Sequence, residues 1–260
     1  MIDLHCHILP GVDDGPERLE DALALAVEAA EEGIRTIVAT PHLDGRHLRS
    51  AAEVGERVRS LNGSLREEGI PVEVLPGAEV ALSWLGELED RELAHATLAD
   101  GPALLVESPY TGDMPLLEEQ LFELQVKGYQ PLLAHPERCP AFQASPARLA
   151  ALVEHGVRCS ITAASLAGRL GKAARRLSIE LVARRLVHDV STDAHDLRHR
   201  PPRLVEGFEL ADAELPGLAA SRDWFTNVAP AAILSGDPLA PPPELARQSR
   251  WRRLVRRRRR

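Results

Sequence analysis

MIDLHCHILPGVDDG, residues 1–15, opens the chain with a strand pattern that carries two histidines. Side chains alternate in an extended segment, so His5 and His7 are expected to point to one side and Cys6 to the other. Two neutral imidazoles at this spacing can form half of a divalent-metal site. An isolated H-x-H is equally compatible with two ordinary histidines, so the rest of the chain decides between the two interpretations.

Short apolar runs alternate with helical patterns about seven times along the chain. Strands are predicted over 1–4, 35–39, 72–75, 103–106, 130–134, 157–161 and 187–190. Helices are predicted over 17–32, 46–68, 85–96, 115–127, 146–155, 170–185, 203–212 and 229–234. This alternation predicts parallel strands joined by crossover helices. No G-x-G-x-x-G follows the first strand, which favours a closed or nearly closed α/β barrel over a dinucleotide-binding doubly wound sheet.

Composition and charge exclude several classes of function. Aromatic residues make up only 3% of the chain, which argues against a base-stacking nucleic-acid module. The net charge is −8, and residues 250–260 contain eight arginines without an acidic residue, so the rest of the chain carries −16. An acidic body does not attract polyanions. We therefore expect no nucleic-acid partner.

The expected compartment is the cytoplasm. The chain has three cysteines without paired spacing, which is typical of a reducing compartment. No apolar run approaches the roughly 18 residues of a membrane span, and the N-terminus lacks a basic-then-apolar signal.

We predict one barrel domain over residues 1–237, followed by a proline-rich linker and an arginine-rich tail over 238–260. Blocks of like charge are usually solvated and disordered, which is the preferred interpretation of the tail. The alternative is weak attraction of the tail to an acidic membrane surface. The sequence leaves the oligomeric state open.

Metal-binding residue types recur just after the predicted strands. Six of the seven strands are followed by His, Asp or Glu at the same structural position: His5 and His7, His42, Glu79, Glu107, His135, and Asp193 with His195. In a parallel barrel this is the C-terminal face, where active sites are built. Any one of these residues could be an ordinary capping residue.

As a set, these residues are hard to explain as caps. Converging carboxylates repel one another, which raises their pKa values, and divalent cations remove that conflict. The mixture of imidazole and carboxylate suits Zn²⁺, Mn²⁺ or Fe, and there are enough ligands for two or three ions.

Several collinear motifs carry a resemblance to a known family. They are MIDLHCHILPGVDDG, ATPH, LPGAE, LLVE, KGYQPLLAHPER, SLAG and STDAH, between Met1 and about Arg200. Together they resemble the PHP-domain (polymerase and histidinol phosphatase) protein-tyrosine phosphatases of the CpsB/YwqE type, which are associated with bacterial capsule and exopolysaccharide synthesis.

The resemblance implies a distorted TIM-like (β/α)₇ barrel with a three-metal, usually manganese, site. By motif, His5, His7, Glu79 and Asp193 would surround one ion. Glu107 and His135 would hold a second ion that Glu79 bridges. Asp14, His42 and His195 would hold the third. Arg138 matches a catalytic arginine of the family and Arg200 a second one, with Arg198 as a nearby alternative.

Three stretches depart from the family pattern. Glu107 is followed by Ser108-Pro109-Tyr110, whereas the family more often has an aromatic residue before the proline. Residues 162–165 read TAAS where Gly and Ser are more usual, and Leu43 replaces a common second histidine. These positions border the expected pocket, so they affect the prediction of substrate preference more than that of the metal site.

The predicted activity is hydrolysis of phosphotyrosine by metal-activated water, with inorganic phosphate as the product. The expected partner is the phosphotyrosine tail of a bacterial tyrosine kinase. A cysteine nucleophile in a C-x₅-R loop is excluded, because Val12, Ser145 and Ser165 stand six residues after the three cysteines. Cys6 is expected to pack in the core. The alternatives are a phosphatase for a small phosphate monoester, as in the histidinol-phosphatase branch, and a non-catalytic metal-bound scaffold.

Overall fold

Nine strands alternate with helices in the residues that the computed structural model describes, 1–110 and 116–245. The strands are β1 (Ile2–Cys6), β2 (Thr36–Ala39), β3 (His42–Leu43), β4 (Glu73–Leu75), β5 (Glu79–Ala81), β6 (Ala103–Glu107), β7 (Gln130–Ala134), β8 (Arg158–Thr162) and β9 (Asp189–Ser191). The α-helices are α1 (Leu19–Glu31), α2 (Val54–Glu67), α3 (Asp90–Ala96), α4 (Leu117–Val126), α5 (Pro140–Ala144), α6 (Pro146–Glu154), α7 (Ala163–Ala167), α8 (Lys172–Ala183), α9 (Val205–Asp212) and α10 (Ala229–Ser235).

All strand pairings are parallel, and together they close a ring. One sheet has the order β1-β2-β4 and the other β3-β5-β6-β7-β8-β9. A parallel bridge between Cys6 and Ala194 joins the ends of the two sheets. The backbone N–H of His7 donates to the carbonyl of Ala194 across the same seam, at 2.9 Å. The architecture is therefore a parallel α/β barrel, as predicted.

Two short strands were not predicted: β3 and β5 continue the predicted strands β2 and β4 after an interruption. Thr40-Pro41 separates β2 from β3, and Pro76-Gly77-Ala78 separates β4 from β5. Proline has no backbone N–H to donate to the neighbouring strand, so the strand pairing is interrupted at Pro41 and at Pro76. His42 and Glu79 lie directly opposite each other at the start of the second pieces.

Some predicted helix boundaries were wrong. The helix predicted over 46–68 begins only at Val54, because Asp44 accepts hydrogen bonds from the backbone N–H groups of Arg46 and His47 and holds a turn there. The helix predicted over 85–96 is a 3₁₀ helix, Leu82–Glu87, followed by α3. The first residue of the helix predicted over 115–127 lies outside the described residues.

The core consists of two apolar clusters. Along β6, Leu104 and Val106 belong to the larger cluster, which includes helix residues such as Leu25 and Leu121. The alternate residue Leu105 belongs to a smaller cluster with Leu4, Val38, Ala103, Leu132, Ala134, Leu98 and Ile233. Because side chains alternate along a strand, the smaller cluster fills the barrel interior below the site.

Close packing of α9 on α7 supplies a stability test. A Cβ added to Gly207 would lie 2.5 Å from the carbonyl oxygen of Ala163. We expect Gly207→Ala to lower the free energy of unfolding by about 1–3 kcal/mol, since overpacking forces a backbone shift. Chemical denaturation measures the change.

The matched control is Gly63→Ala in α2, where nothing lies within 4 Å of the added Cβ. That variant should be stabilised by about 0.5–1 kcal/mol through helix propensity. Equal effects of the two substitutions would contradict the packing argument.

The end of the described chain packs against the barrel. Residues 238–245 have no regular structure, but the Arg185 side chain donates to the carbonyl of Pro242 and Leu245 is buried. The remainder of the predicted linker and tail, 246–260, lies outside the described residues. Among residues 1–110 and 116–245, no helix combines the length and apolar character that crossing a membrane requires.

Candidate metal centre

All nine side chains predicted as metal ligands meet at one end of the barrel. They fall into four overlapping groups, within each of which the ligand atoms lie no more than 4.8 Å apart. The groups are His5/His7/Asp193, His5/Glu79/His135, His42/Glu79/Glu107 and His7/Asp14/His42/His195. This grouping differs from the predicted ligand sets: His7 also joins the Asp14 group, His5 joins Glu79 and His135, and Glu107 groups with Glu79 and His42 rather than with His135.

Glu79 stands at the centre of the cluster. Its carboxylate lies 2.8 Å from Nε2 of His135, 3.0 Å from Nδ1 of His42, and 3.4 Å from Nε2 of both His5 and His7. Only 1% of the residue is exposed. Burial alone would raise the pKa of Glu79, but the surrounding imidazoles hold it well below its ordinary value. The buried Glu79 carboxylate, which four imidazoles approach, could therefore serve as a ligand to more than one cation.

The donor set fits divalent cations. Oδ1 of Asp193 and Nδ1 of His135 are buried and have no hydrogen-bond partner among the described residues. Burial and the charge of Glu79 raise the pKa of Glu107, so the two carboxylates oppose each other's ionisation. Cations would satisfy the unpaired atoms and remove the repulsion, and a mixture of imidazole and carboxylate suits first-row transition ions.

Asp13, for which the sequence predicted no role, orients His7. Its Oδ2 lies 2.7 Å from Nδ1 of His7 and also accepts the backbone N–H of His42 at 3.0 Å. Burial would lower the pKa of His7, but Asp13 and Glu79 raise it to about 10. A carboxylate on one ring nitrogen directs the other towards a metal. The sequence signal is the adjacent acid pair: Asp13 orients His7, and Asp14 is a predicted metal ligand.

The two predicted arginines meet at Asp193. Nη1 of Arg138 donates to Oδ2 of Asp193 at 2.9 Å, and the Arg200 guanidinium pairs with the same oxygen. Nη1 of Arg200 also lies 2.7 Å from Nε2 of His195. Arg198, the alternative to Arg200, is exposed and its backbone N–H bonds to Asp196. The geometry therefore favours Arg200 as the second arginine at the site.

Left-handed backbone conformations occur at two of the predicted ligands. His135 has φ +33° and Asp193 has φ +54°, which non-glycine residues adopt at an energetic cost. Buried Glu137 anchors the turn after His135, because its Oε1 accepts both the backbone N–H and the hydroxyl of Thr162. Glu137 was also missed, since a carboxylate between two predicted site residues has no distinguishing sequence signal.

A buried polar network lies on the neighbouring strands. The hydroxyls of Ser160 and Ser191 both donate to Oδ2 of Asp189, which is fully buried. Burial raises the pKa of Asp189 to about 7. The folded protein therefore holds a proton there that the unfolded chain loses near pH 4.

This proton makes stability depend on pH. The free energy of unfolding should fall as pH rises from about 4 to about 7, by up to about 4 kcal/mol from this group. Asp189→Asn removes the titration, so the variant should gain in stability relative to the wild type between pH 5 and pH 8. Denaturation at both values measures the difference, and a difference that does not change with pH would contradict the account.

Comparison with known proteins identifies the relatives of the chain. Residues 1–227 match the family described as capsular polysaccharide synthesis, CpsB/CapC. The chain is 43% identical over 219 residues to the tyrosine-protein phosphatase YwqE of Bacillus subtilis, covering 82% of this chain and 85% of YwqE. It is 33% identical over 212 residues to the putative tyrosine-protein phosphatase CapC of Staphylococcus aureus, covering 80% and 82%.

Solved structures agree with this relationship. A crystal structure from work on YwqE of B. subtilis and CpsB of Streptococcus pneumoniae, described as unique metal-dependent tyrosine phosphatases, superposes with a TM-score of 0.84 at 35% identity. The superposition covers 96% of this chain and 100% of the chain in that crystal structure. The Escherichia coli phosphotriesterase homology protein, at 13% identity and a TM-score of 0.60 over 90% of this chain and 98% of its own, shares the fold alone. The chain therefore belongs to the CpsB/CapC family and has its distorted TIM-like barrel.

Proposed function

We propose that this protein is a metal-dependent phosphotyrosine-protein phosphatase, a phosphoric monoester hydrolase of bacterial capsule or exopolysaccharide synthesis. One observation carries the proposal. Nine side chains with nitrogen or oxygen donors, Glu79 among them, converge next to two arginines, in a family whose relatives are named tyrosine-protein phosphatases.

The metal ligands of the proposal are His5, His7, Asp14, His42, Glu79, Glu107, His135, Asp193 and His195. They would hold up to three divalent ions, for which we propose Mn²⁺, with Fe or Zn²⁺ as alternatives. When bound, such ions ionise water near neutral pH and act as Lewis acids towards phosphoryl oxygens. The histidines must be neutral to bind them, so protons compete with the metal.

Arg138 and Arg200 are the proposed catalytic residues. Their side chains are 21% and 28% exposed, whereas Asp193 between them is buried, so both can reach a ligand in the pocket. Planar guanidinium groups bind phosphoryl oxygens through paired N–H donors. They would stabilise the negative charge that grows on those oxygens as the ester bond breaks. Inorganic phosphate is the expected product.

The cysteines do not supply an alternative nucleophile. Cys6, Cys139 and Cys159 are all buried. Burial raises the pKa of Cys6 and of Cys159 well above the ordinary thiol value. A thiol acts as a nucleophile only when it is ionised. Hydrolysis without a covalent cysteine intermediate is therefore the mechanism that we propose.

The partner that we propose is the phosphotyrosine tail of a bacterial tyrosine kinase, met in the cytoplasm. Support comes from the family description and from relatives named as tyrosine-protein phosphatases. A weak contact between the arginine tail and a membrane surface stays a prediction, because that tail lies outside the described residues. Liposome binding with and without residues 246–260 would test it.

The test of function uses two comparisons. Hydrolysis of p-nitrophenyl phosphate should disappear in EDTA and return with added Mn²⁺, whereas an inactive metal-bound protein would support the scaffold alternative. A phosphotyrosine peptide should then be hydrolysed faster than a matched phosphoserine peptide and faster than histidinol phosphate. Preference for histidinol phosphate would instead support the small-monoester alternative.

A further inference from the structure

A half-exposed aromatic ring, that of Tyr110, stands at the rim of the metal centre. Tyr110 follows Glu107 by three residues, and 49% of its surface is exposed. Its ring stacks on that of His135, with centroids 5.6 Å apart and planes inclined by 19°. Cζ of Arg138 lies 4.8 Å from the centroid of the Tyr110 ring. One side chain therefore contacts both a proposed metal ligand and a proposed phosphate-binding arginine.

Core packing does not account for this ring. Aromatic residues are rare in the chain, and the largest buried ones, Phe142, Phe208 and Phe225, are fully enclosed. Tyr110 instead leaves about half of its surface open to solvent beside the site. An open aromatic surface next to a cationic pocket is suited to receive another ring, because aromatic pairs stabilise each other beyond simple burial.

The chemistry of the proposed substrate places a ring at this position. In phosphotyrosine a single ester oxygen separates the phosphorus atom from the phenyl ring. If Arg138 and Arg200 hold the phosphoryl oxygens, the phenyl ring must lie at the rim, beside the Arg138 guanidinium. Tyr110 already occupies that neighbourhood, at stacking distance from Arg138.

We propose that Tyr110 is a specificity residue: an aromatic wall that packs against the phenyl ring of phosphotyrosine and favours aryl over alkyl phosphates. The inference rests on the proposed function and names the part of the substrate that the rim recognises. Tyr110 need not take part in the chemical step, because its contribution is binding of the leaving group.

The direct test measures binding of two phosphonates that cannot be hydrolysed. Benzylphosphonate carries the ring and methylphosphonate lacks it. In the metal-loaded protein, Tyr110→Leu should weaken benzylphosphonate about three- to tenfold, as expected for the loss of one aromatic pair. Binding of methylphosphonate should change less than about twofold. Tyr110→Phe keeps the ring and should bind both ligands like the wild type. Isothermal titration calorimetry gives all of these constants.

The matched control is Phe122→Leu, which removes an aromatic ring that is 64% exposed on the surface of α4. It should leave both affinities unchanged. Equal weakening of both phosphonates by Tyr110→Leu would overturn the inference, since Tyr110 would then act only by holding Arg138 or His135. If the wild type bound the phosphonates but hydrolysed no phosphotyrosine peptide, the proposed function would fail while the binding comparison still decided the role of Tyr110.

Discussion

Glu79→Gln is expected to lower kcat/KM for a phosphotyrosine peptide on the order of a thousandfold, which corresponds to about 4 kcal/mol of transition-state stabilisation. The substitution preserves shape but removes the negative charge that four imidazoles approach. At least one bound ion should be lost with it. Metal analysis of the purified variant, together with steady-state kinetics, measures both effects.

The matched control for this prediction is Glu73→Gln. Glu73 is an exposed glutamate of β4, six residues upstream of Glu79. The Glu73→Gln variant should retain wild-type metal content and activity. A Glu79→Gln protein with full metal content and full activity would show that Glu79 is not a ligand.

Arg138→Ala is expected to reduce kcat about 100- to 1000-fold while the ions stay bound, because one donor to the developing charge is lost. Arg138→Lys should recover only part of the activity, since an ammonium group lacks the planar pair of donors. Kinetics with p-nitrophenyl phosphate and metal analysis separate this effect from that of Glu79→Gln.

The control is Arg198→Ala, which removes an exposed arginine two residues before Arg200. Its activity should match that of the wild type. If Arg138→Ala lost metal as well as activity, its pairing with Asp193 would be structural, and the catalytic assignment would not hold.

The barrel and the convergence of most of its ligands could be predicted because both follow from local pattern. The role of Asp14 and the division into ligand sets were implied only by the family resemblance. Apolar runs separated by helices imply parallel strands, and parallel strands present their carboxyl ends at one face. Residues distant in sequence, such as His5 and Asp193, are therefore expected to meet. The structure adds that Nε2 of His5 lies 3.4 Å from a carboxylate oxygen of Glu79 and 3.4 Å from one of Asp193.

Features that depend on particular side-chain contacts could not be predicted. The start of α2 moved because Asp44 competes for the backbone of its own turn. Asp13 gains its role from His7, six residues before it, and from His42, 29 residues after it. Glu137 gains its role from Thr162, 25 residues away. The sequence marks Tyr110 only as part of a departure from a family pattern, and its contacts with His135 and Arg138 depend on how two loops pack.

Anomalous diffraction from crystals grown with Mn²⁺ is the most direct test of whether the donor residues at one end of the barrel bind cations. We expect anomalous peaks within bonding distance of Glu79, His135 and Asp193, with the remaining proposed ligands completing each coordination shell. Peaks confined to surface carboxylates, with the cluster around Glu79 free of bound metal, would contradict the proposed metal centre and the phosphatase mechanism built on it.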